Sequence, residues 1–314
     1  MATARAFAEN SAPDLDTFAP TIPHLRVAQP HAQPFLKWVG GKGKLIAQLE
    51  AYLPKGRLRY AEPFFGGGAL FFHLWSQQRL DAAVLADRSA ELINACKVLR
   101  DEADELLQAL GQHEALYLGG DAAERSAYFY AVRAQQPLQF ALTPVQRAAR
   151  MLFLNRTCFN GLWRENSRGL FNSPHGRYPN PTIVLGDRLR VASQALGDAA
   201  VLQSDFRALP ELVQDHRADF VYLDPPYHPL SVTSSFNAYS GGQFSAQAQR
   251  DLADVCQRLD RAGVRFLLSN SDCGFIRELY GKWQIDTVRA ARSINAKGDS
   301  RGEIDEVVVR NYAN

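Results

Sequence analysis

The sequence predicts an α/β fold: one parallel-dominated sheet with helices on both faces, interrupted by a helical and loop-rich insertion. Three observations carry that prediction. Short apolar runs through Tyr60–Ala61 and Ala83–Ala86 are each followed by a helical pattern, and strand–helix alternation implies a parallel sheet. The same rhythm returns in "AAVLQSDF", "ADFVYLDPPY" and "VRFLLSNSD". Between them, about 101 to 185, helical periodicity gives way to a stretch full of Asn, Gly, Ser and Arg.

Composition agrees with a globular chain. The 314 residues are 46% hydrophobic and 22% charged, enough for a sizeable core. No run approaches the ~20 apolar residues of a membrane span, and the N-terminus lacks a secretory leader pattern. A soluble, cytoplasmic protein is therefore expected. Cys96, Cys158, Cys256 and Cys273 show no C-x-x-C spacing and no paired His, so reduced thiols are expected rather than a metal site or disulfides. The net charge of +2 decides nothing; its distribution matters more.

Residues 1–33 have no apolar period and read as a disordered tail. Ordered structure begins with "PFLKWVGGKGKLIAQLEAYLP": a glycine-rich loop, then an amphipathic helix with Leu45, Ile46 and Leu49 inward, stopped by Pro54. A strand through Tyr60 and Ala61 leads into "FFGGGALFF", a glycine loop opening a helix. A buried strand ending on Asp87 precedes a helix carrying Leu92, Ile93, Cys96 and Leu99. The insertion is helical to about 154, with Thr143 as an N-cap and Pro144 at the first helical position. Residues 155–181 read as loops or a hairpin. A helix near 245–262, a further short helix and two closing strands around "WQIDTVRAA" and "IDEVVVRNY" complete the chain.

Four motifs carry chemistry. In the first, a glycine turn leads from strand to helix, with Asp87 twenty-one residues beyond Gly66. It suits a ligand close to the backbone and a carboxylate on ribose hydroxyls. Position 71 is Phe, so G-x-G-x-x-G is broken, which favours an adenosine-type ligand without pyrophosphate. The second, "GGKGKL", fails the phosphate-loop test because Leu45 follows Lys44, yet Lys37, Trp38 and Lys42 make a cationic and aromatic group.

The third is "YLDPPYHPL". Asp224 leaves the carboxyl end of a buried strand, where open α/β sheets bind ligands, and Pro226 forces Pro225 into an extended conformation. Asp224 and the Pro225 carbonyl then form two adjacent fixed acceptors, which suit an NH₂ group. A delocalised exocyclic amine held by both is drawn toward a pyramidal, more nucleophilic shape, with Tyr227 stacked on its ring. The fourth is a run of arginines, 147, 150, 156, 164, 168 and 177, with no lysine and Glu165 as the lone acid. Arginine favours bidentate recognition of guanine edges and phosphates. Each motif alone also has a bland reading: a tight turn, a solvated loop, a strand terminator, a charged surface.

Taken in order, "FLKWVGGK", "EPFFGGG", "LADRSAELI", "LFLNRTCFNGLWRENSRGLFNSPHGRY", "YLDPPYHPLS", "LLSNSD" and "RSINAKGDSRGEIDE" resemble the DNA adenine methylase (Dam) family, the D12 class of N6-adenine methyltransferases with the α motif order. The resemblance spans roughly 34 to 312. It implies a Rossmann-like class I methyltransferase sheet (34–100 and 186–314) binding S-adenosylmethionine, with 101–185 as an inserted DNA target-recognition domain. It implies cofactor contacts from Trp38, Lys42, Glu62, Pro63, Phe64, Gly66, Asp87, Asp205 and Asp224, and catalysis by Asp224, Pro225, Pro226 and Tyr227. Lys37, Leu162, Arg164 and Pro174 resemble readers of GATC bases, and Phe159 and Asn160 lie where the family fills the gap left by a flipped base. Arg156, Asn166, Asn172 and Arg177 resemble phosphate or hairpin-positioning contacts.

Thr157, Cys158 and Trp163 depart from the family's hairpin. The implied enzyme acts as a monomer on double-stranded DNA, in the bacterial nucleoid or from a phage, without a metal. An RNA-adenine or protein-glutamine methyltransferase and a catalytically silent DNA-binding regulator remain open.

Overall fold

The computed structural model describes residues 31–135, 141–166, 168–229, 244–291 and 303–313. Strands β1 (Leu58–Glu62), β2 (Leu80–Asp87), β3 (Ala199–Gln203), β4 (Phe220–Leu223), β5 (Arg265–Ser271), β6 (Gln284–Ala291) and β7 (Glu303–Arg310) form one seven-stranded sheet in the order β3-β2-β1-β4-β5-β7-β6. The first five pair in parallel, and β7 runs antiparallel between β5 and β6. This is the parallel-dominated α/β sheet expected from the alternation, in the Rossmann-like form that the resemblance implies. Sequential strands step outward from β1 to β2 and β3, then return to β4 on the other side. The carboxyl ends of β1 and β4 therefore flank the topological switch point, where open sheets bind ligands.

Side chains alternate across the central strands, and both faces are covered. Tyr60, Leu85, Phe220, Tyr222 and Leu267 belong to one apolar cluster; Ala61, Val84, Val221, Leu223, Phe266 and Leu268 belong to the other. Burial on both faces explains why these strands read as continuous apolar runs.

The segment expected as one amphipathic helix after the N-terminal loop is broken into short pieces. A 3₁₀ turn at Lys42–Lys44, a single α turn, α1 (Ile46–Leu49), and a second 3₁₀ turn at Glu50–Tyr52 replace it. Leu45 and Leu49 are buried as expected, but Ile46 is only half-buried. None of the three pieces has a side-chain N-cap, so nothing local enforces a longer helix.

α2 (Ala69–Ser76) and α3 (Ala90–Asp101) follow β1 and β2. α4 (Ala103–Leu118), α5 (Ala122–Ala134) and α6 (Pro144–Thr157) come next. Thr143 caps α6 as expected, in a reciprocal capping box with Gln146. Residues Ala148 to Asn155 of α6 are buried without interruption, because α6 packs between α3 and α4 in the same apolar cluster as the sheet. Its buried polar residues, Arg150 and Asn155, are both hydrogen-bonded to backbone carbonyls, which is what such an interior position requires.

Two helices were not foreseen: α7 (Gly186–Leu196), ahead of β3, and α8 (Leu209–His216), ahead of β4. α9 (Ala246–Arg261), capped by Ser245, and α10 (Gly274–Leu279) flank β5 and, with α8, cover the second face. Ala32 is already buried, its N–H donating to Ser76 Oγ at 2.9 Å. Among the described residues no helix is long and apolar enough to cross a membrane.

Candidate active site and hairpin

A cleft of ≈ 1380 Å³ opens at the switch point. Its floor is the turn from β1 to α2. Gly66 N–H donates to Asp87 Oδ2 at 3.0 Å, and Ser89 N–H donates to Asp87 Oδ1 at 2.9 Å. Asp87 thus ties the glycine loop to the end of β2. Burial raises its pKa, while the Ser89 and Gly66 amides pull the other way. Gly68 caps α2 with φ +65°, a left-handed conformation in which a Cβ would run into the Phe65 ring. No side chain caps α2, so its first N–H groups are left for other partners.

The opposite wall is the loop leaving β4. Lys42 Nζ lies 2.8 Å from Asp224 Oδ1, donates to the Gly40 carbonyl at 2.9 Å, and sits 4.5 Å from the centre of the Tyr227 ring. Burial pushes the Asp224 carboxyl up to about 6, with Lys42 opposing and Glu306 adding to the rise. Glu62, buried and accepting the Tyr60 hydroxyl at 2.8 Å, is also raised, first by burial and then by its carboxylate neighbours. Tyr227 Oη donates to Glu306 Oε2 at 2.7 Å. Asp205 caps the 3₁₀ turn Phe206–Ala208 and pairs with Arg207. Phe206 stacks on Phe64 at 5.5 Å.

Every residue that the sequence assigned to cofactor and catalysis lines this one cleft: Trp38, Lys42, Glu62, Pro63, Phe64, Gly66, Asp87, Asp205 and Asp224 to Tyr227. Carboxylates predominate along it, with Glu62, Asp87, Glu91, Glu165, Asp205, Asp224 and Glu306 against Lys42, Arg88 and Arg207. Such a lining favours a cationic ligand.

The described residues 157–166 and 168–176 form a hairpin, held by isolated bridges Cys158–His175 and Glu165–Phe171 rather than by long strands. Phe159 N–H donates to Pro174 O and Asn172 N–H to Arg164 O, both at 2.9 Å. Trp163 packs on Phe171 with ring centres 4.6 Å apart. Asn166 Oδ1 accepts the Arg168 and Leu170 amides and so shapes the turn. Lys37, Phe159, Asn160, Arg164, Pro174 and Arg177 are exposed, and Leu162 is half-exposed. Arg164 Nε donates to Asn172 Oδ1 at 2.7 Å. Arg156 is half-buried, and its Nε donates to the Thr182 carbonyl at 2.9 Å.

The arginine run is not one basic face. Arg147 pairs with Glu91, and Arg150, only 3% exposed, donates to the Val132 and Arg133 carbonyls at the end of α5. Burial pulls the Arg150 guanidinium down to about 10. Both lie on α6, whose interior position the charge count alone did not reveal.

Comparison with known proteins agrees with this geometry. The profile of the D12 class N6 adenine-specific DNA methyltransferases matches residues 38–294. The chain is 38% identical over 288 residues to the type II methyltransferase M.MjaIII of Methanocaldococcus jannaschii, covering 89% of this chain and 99% of that protein. It is 33% identical over 274 residues to the DNA adenine methylase of Escherichia coli K12, covering 87% and 93% respectively. The chain belongs to the D12 class of N6 adenine-specific DNA methyltransferases.

In this methyltransferase four supporting residues were given no role from the sequence, although Asn155, Asn270 and Glu306 lie inside the matched motifs. Asn155, fully buried at the end of α6, accepts the Lys37 amide at 2.9 Å and donates to the Lys37 and Gly161 carbonyls. It pins the N-terminal loop to the hairpin. Gly161 (φ +64°) permits this close approach, since a Cβ there would strike the Lys37 side chain. Gln249 of α9 donates to the Pro226 carbonyl at 3.1 Å, and Asn270 of β5 accepts the His228 amide at 3.2 Å and donates to Gln249. The fourth is Glu306. Gln249, outside every matched motif, had its own signal: a polar residue among Leu252, Ala253 and Cys256 on the buried side of α9. The "HPLS" and "RSINAKGDSRGEIDE" matches extend outside the described residues.

Proposed function

We propose that this enzyme transfers a methyl group from S-adenosylmethionine to N6 of an adenine flipped out of double-stranded DNA, with GATC as its site. The observation that carries the reading is Asp224, at the end of β4, sharing one carboxylate-rich cleft with the Gly66–Gly68 loop and Asp87. That lining suits a cationic methyl donor, and the absence of a third spaced glycine suits a ligand without pyrophosphate. Trp38, Pro63, Phe64 and Gly66 would surround it, Asp87 would take its ribose, and Asp205 with Phe206 would border its adenine. When bound, S-adenosylmethionine supplies an electrophilic methyl group on a sulfonium.

The protein's own part is to hold and activate the amine. Asp224 and the Pro225 carbonyl accept the two N6 hydrogens, drawing the nitrogen lone pair out of the ring and toward the methyl. Asp224 must be ionised to do this, and its position beside Lys42 favours that form. Tyr227 stacks on the base. After transfer the extra N6 proton passes to Asp224 and on to solvent. Extrusion of the base costs a few kcal/mol, offset by DNA contacts.

The exposed hairpin residues with Lys37 and Arg177 form the DNA-reading surface, with 101–185 as its supporting domain and Arg164 as the guanine reader. The choice of GATC rests on the resemblance of this hairpin to the Dam family. A protein acting on intracellular DNA works in the cytoplasm. The test is to express the enzyme in a host that lacks adenine methylation and sequence modified adenines in its plasmid. N6-methyladenine confined to GATC is expected. Modification at another sequence overturns the site, and plasmid without N6-methyladenine overturns the substrate.

A further inference from the structure

Glu306 touches none of the reacting atoms, yet it lines the reacting cleft. It lies on β7, between Ser271 of β5 and Val288 of β6, in register with both. The next three residues, Val307 to Val309, are fully buried, so the strand presents Glu306 from a fixed position. Its Oε2 accepts the Tyr227 hydroxyl at 2.7 Å, and it lines the same cleft as Asp224 and Lys42. A phenol donating to a carboxylate makes a short, charge-assisted bond, stronger than one between neutral groups. Tyr227 has only two side-chain torsions, and this bond fixes the far end of its ring.

We propose that Glu306 is a positioning residue for methyl transfer, holding the Tyr227 ring in the orientation on which the target adenine stacks. The inference rests on the reading of Asp224 to Tyr227 as the catalytic loop. A displaced ring leaves the amine misaligned with its acceptors, and misplacement of about 1 Å can cost up to about 10²-fold in rate.

The groups that face Glu306 and Asp224 are Lys42 from the N-terminal turn, Tyr60 and Glu62 from β1, Tyr222 from β4 and Tyr227 itself. Glu306 is one of the groups that raise Asp224. Its neutralisation therefore lowers that carboxyl and moves the acid limb of the rate profile to lower pH.

The experiment compares Glu306→Leu, Tyr227→Phe, the double variant and Glu306→Gln in single-turnover methyl transfer, with thermal melting and calorimetric S-adenosylmethionine binding as controls for folding. Glu306→Leu is expected to lower the rate constant by roughly 10–100-fold with cofactor affinity unchanged. Tyr227→Phe should show the same loss, and the double variant no more than either single one, because both remove one bond. Glu306→Gln keeps an acceptor for the phenol and should restore most of the rate while shifting the acid limb downward.

Losses that multiply in the double variant, or a Glu306→Leu rate within twofold of the parent, overturn the inference. If Glu306→Leu does not fold, the contrast of Glu306→Gln with Tyr227→Phe decides: equal losses in these two overturn it. Asp224→Ala in the same assay separates the two readings. If that variant stays active the catalytic-loop reading fails, whereas an inactive Asp224→Ala beside an unimpaired Glu306→Leu removes only the role of Glu306.

Discussion

The loop after β4 and the hairpin at 157–176 are both irregular backbone, but they are held in opposite ways. Each of four residues in the catalytic loop is tied to a different element: Asp224 to Lys42, the Pro226 carbonyl to Gln249 of α9, the Tyr227 hydroxyl to Glu306 of β7, and the His228 amide to Asn270 of β5. Gln249 and Asn270 are fully buried, and a satisfied buried polar network fixes one geometry. The hairpin is anchored at its base by Asn155 of α6, Tyr117 of α4 and Arg133 of α5, but its tip is held by itself, through the Glu165–Phe171 bridge, the Asn166 turn and the Trp163–Phe171 pair. Its side chains at Phe159, Arg164 and Pro174 face solvent. The difference follows from the task. Activating an amine needs acceptors that do not move, whereas reading a base needs donors that can exchange a protein partner for a base edge.

The sharpest way to break the comparison is at Asp224. Asp224→Ala should lower methyl transfer by at least roughly 10²–10⁴-fold, while gel-shift affinity for a duplex survives. Loss of both together would mean that the two regions are not separable. The next effect is on pH dependence, and its sign follows from the raised carboxyl. Asp224 accepts N6–H only when ionised, and it takes up its proton as pH falls through about 6 rather than near the ordinary carboxylate value of 3.8. Single-turnover rates should therefore be flat above that value and fall by about tenfold per pH unit below it. A profile flat down to pH 4.5 would show that Asp224 stays ionised in the working complex.

This contrast also sets what could be read in the sequence. Strand runs, the Thr143 cap and the glycine turn are local, and the structure has them where the residues indicated. The supports of the catalytic loop are not local. Glu306 lies 79 residues from Tyr227 and Asn270 42 residues from His228, and neither type advertises its partner. The arginine run misled for the complementary reason: a charge count cannot tell Arg150, buried against the end of α5, from Arg164, exposed on the hairpin.

On the hairpin, Arg164→Ala should relax selectivity rather than abolish chemistry. The expected loss is ~1–3 kcal/mol of discrimination at one base pair, read as kcat/KM on the cognate duplex against duplexes altered singly at each position. Equal loss on all of them would make Arg164 a phosphate contact.

The smallest effect separates a holder from a reader. Asn172 accepts Arg164 Nε at 2.7 Å, so its amide presets the guanidinium before DNA arrives. Asn172→Ala removes one side-chain bond of an exposed arginine, worth about 0.5–1.5 kcal/mol at most, and leaves the guanidinium free to find its base at an entropic cost. Discrimination should therefore fall at the same base pair as in Arg164→Ala, but by less. The salt dependence of binding should not change, because no phosphate contact is lost. A slope shallower by about one with discrimination intact would place Asn172 on the DNA backbone instead.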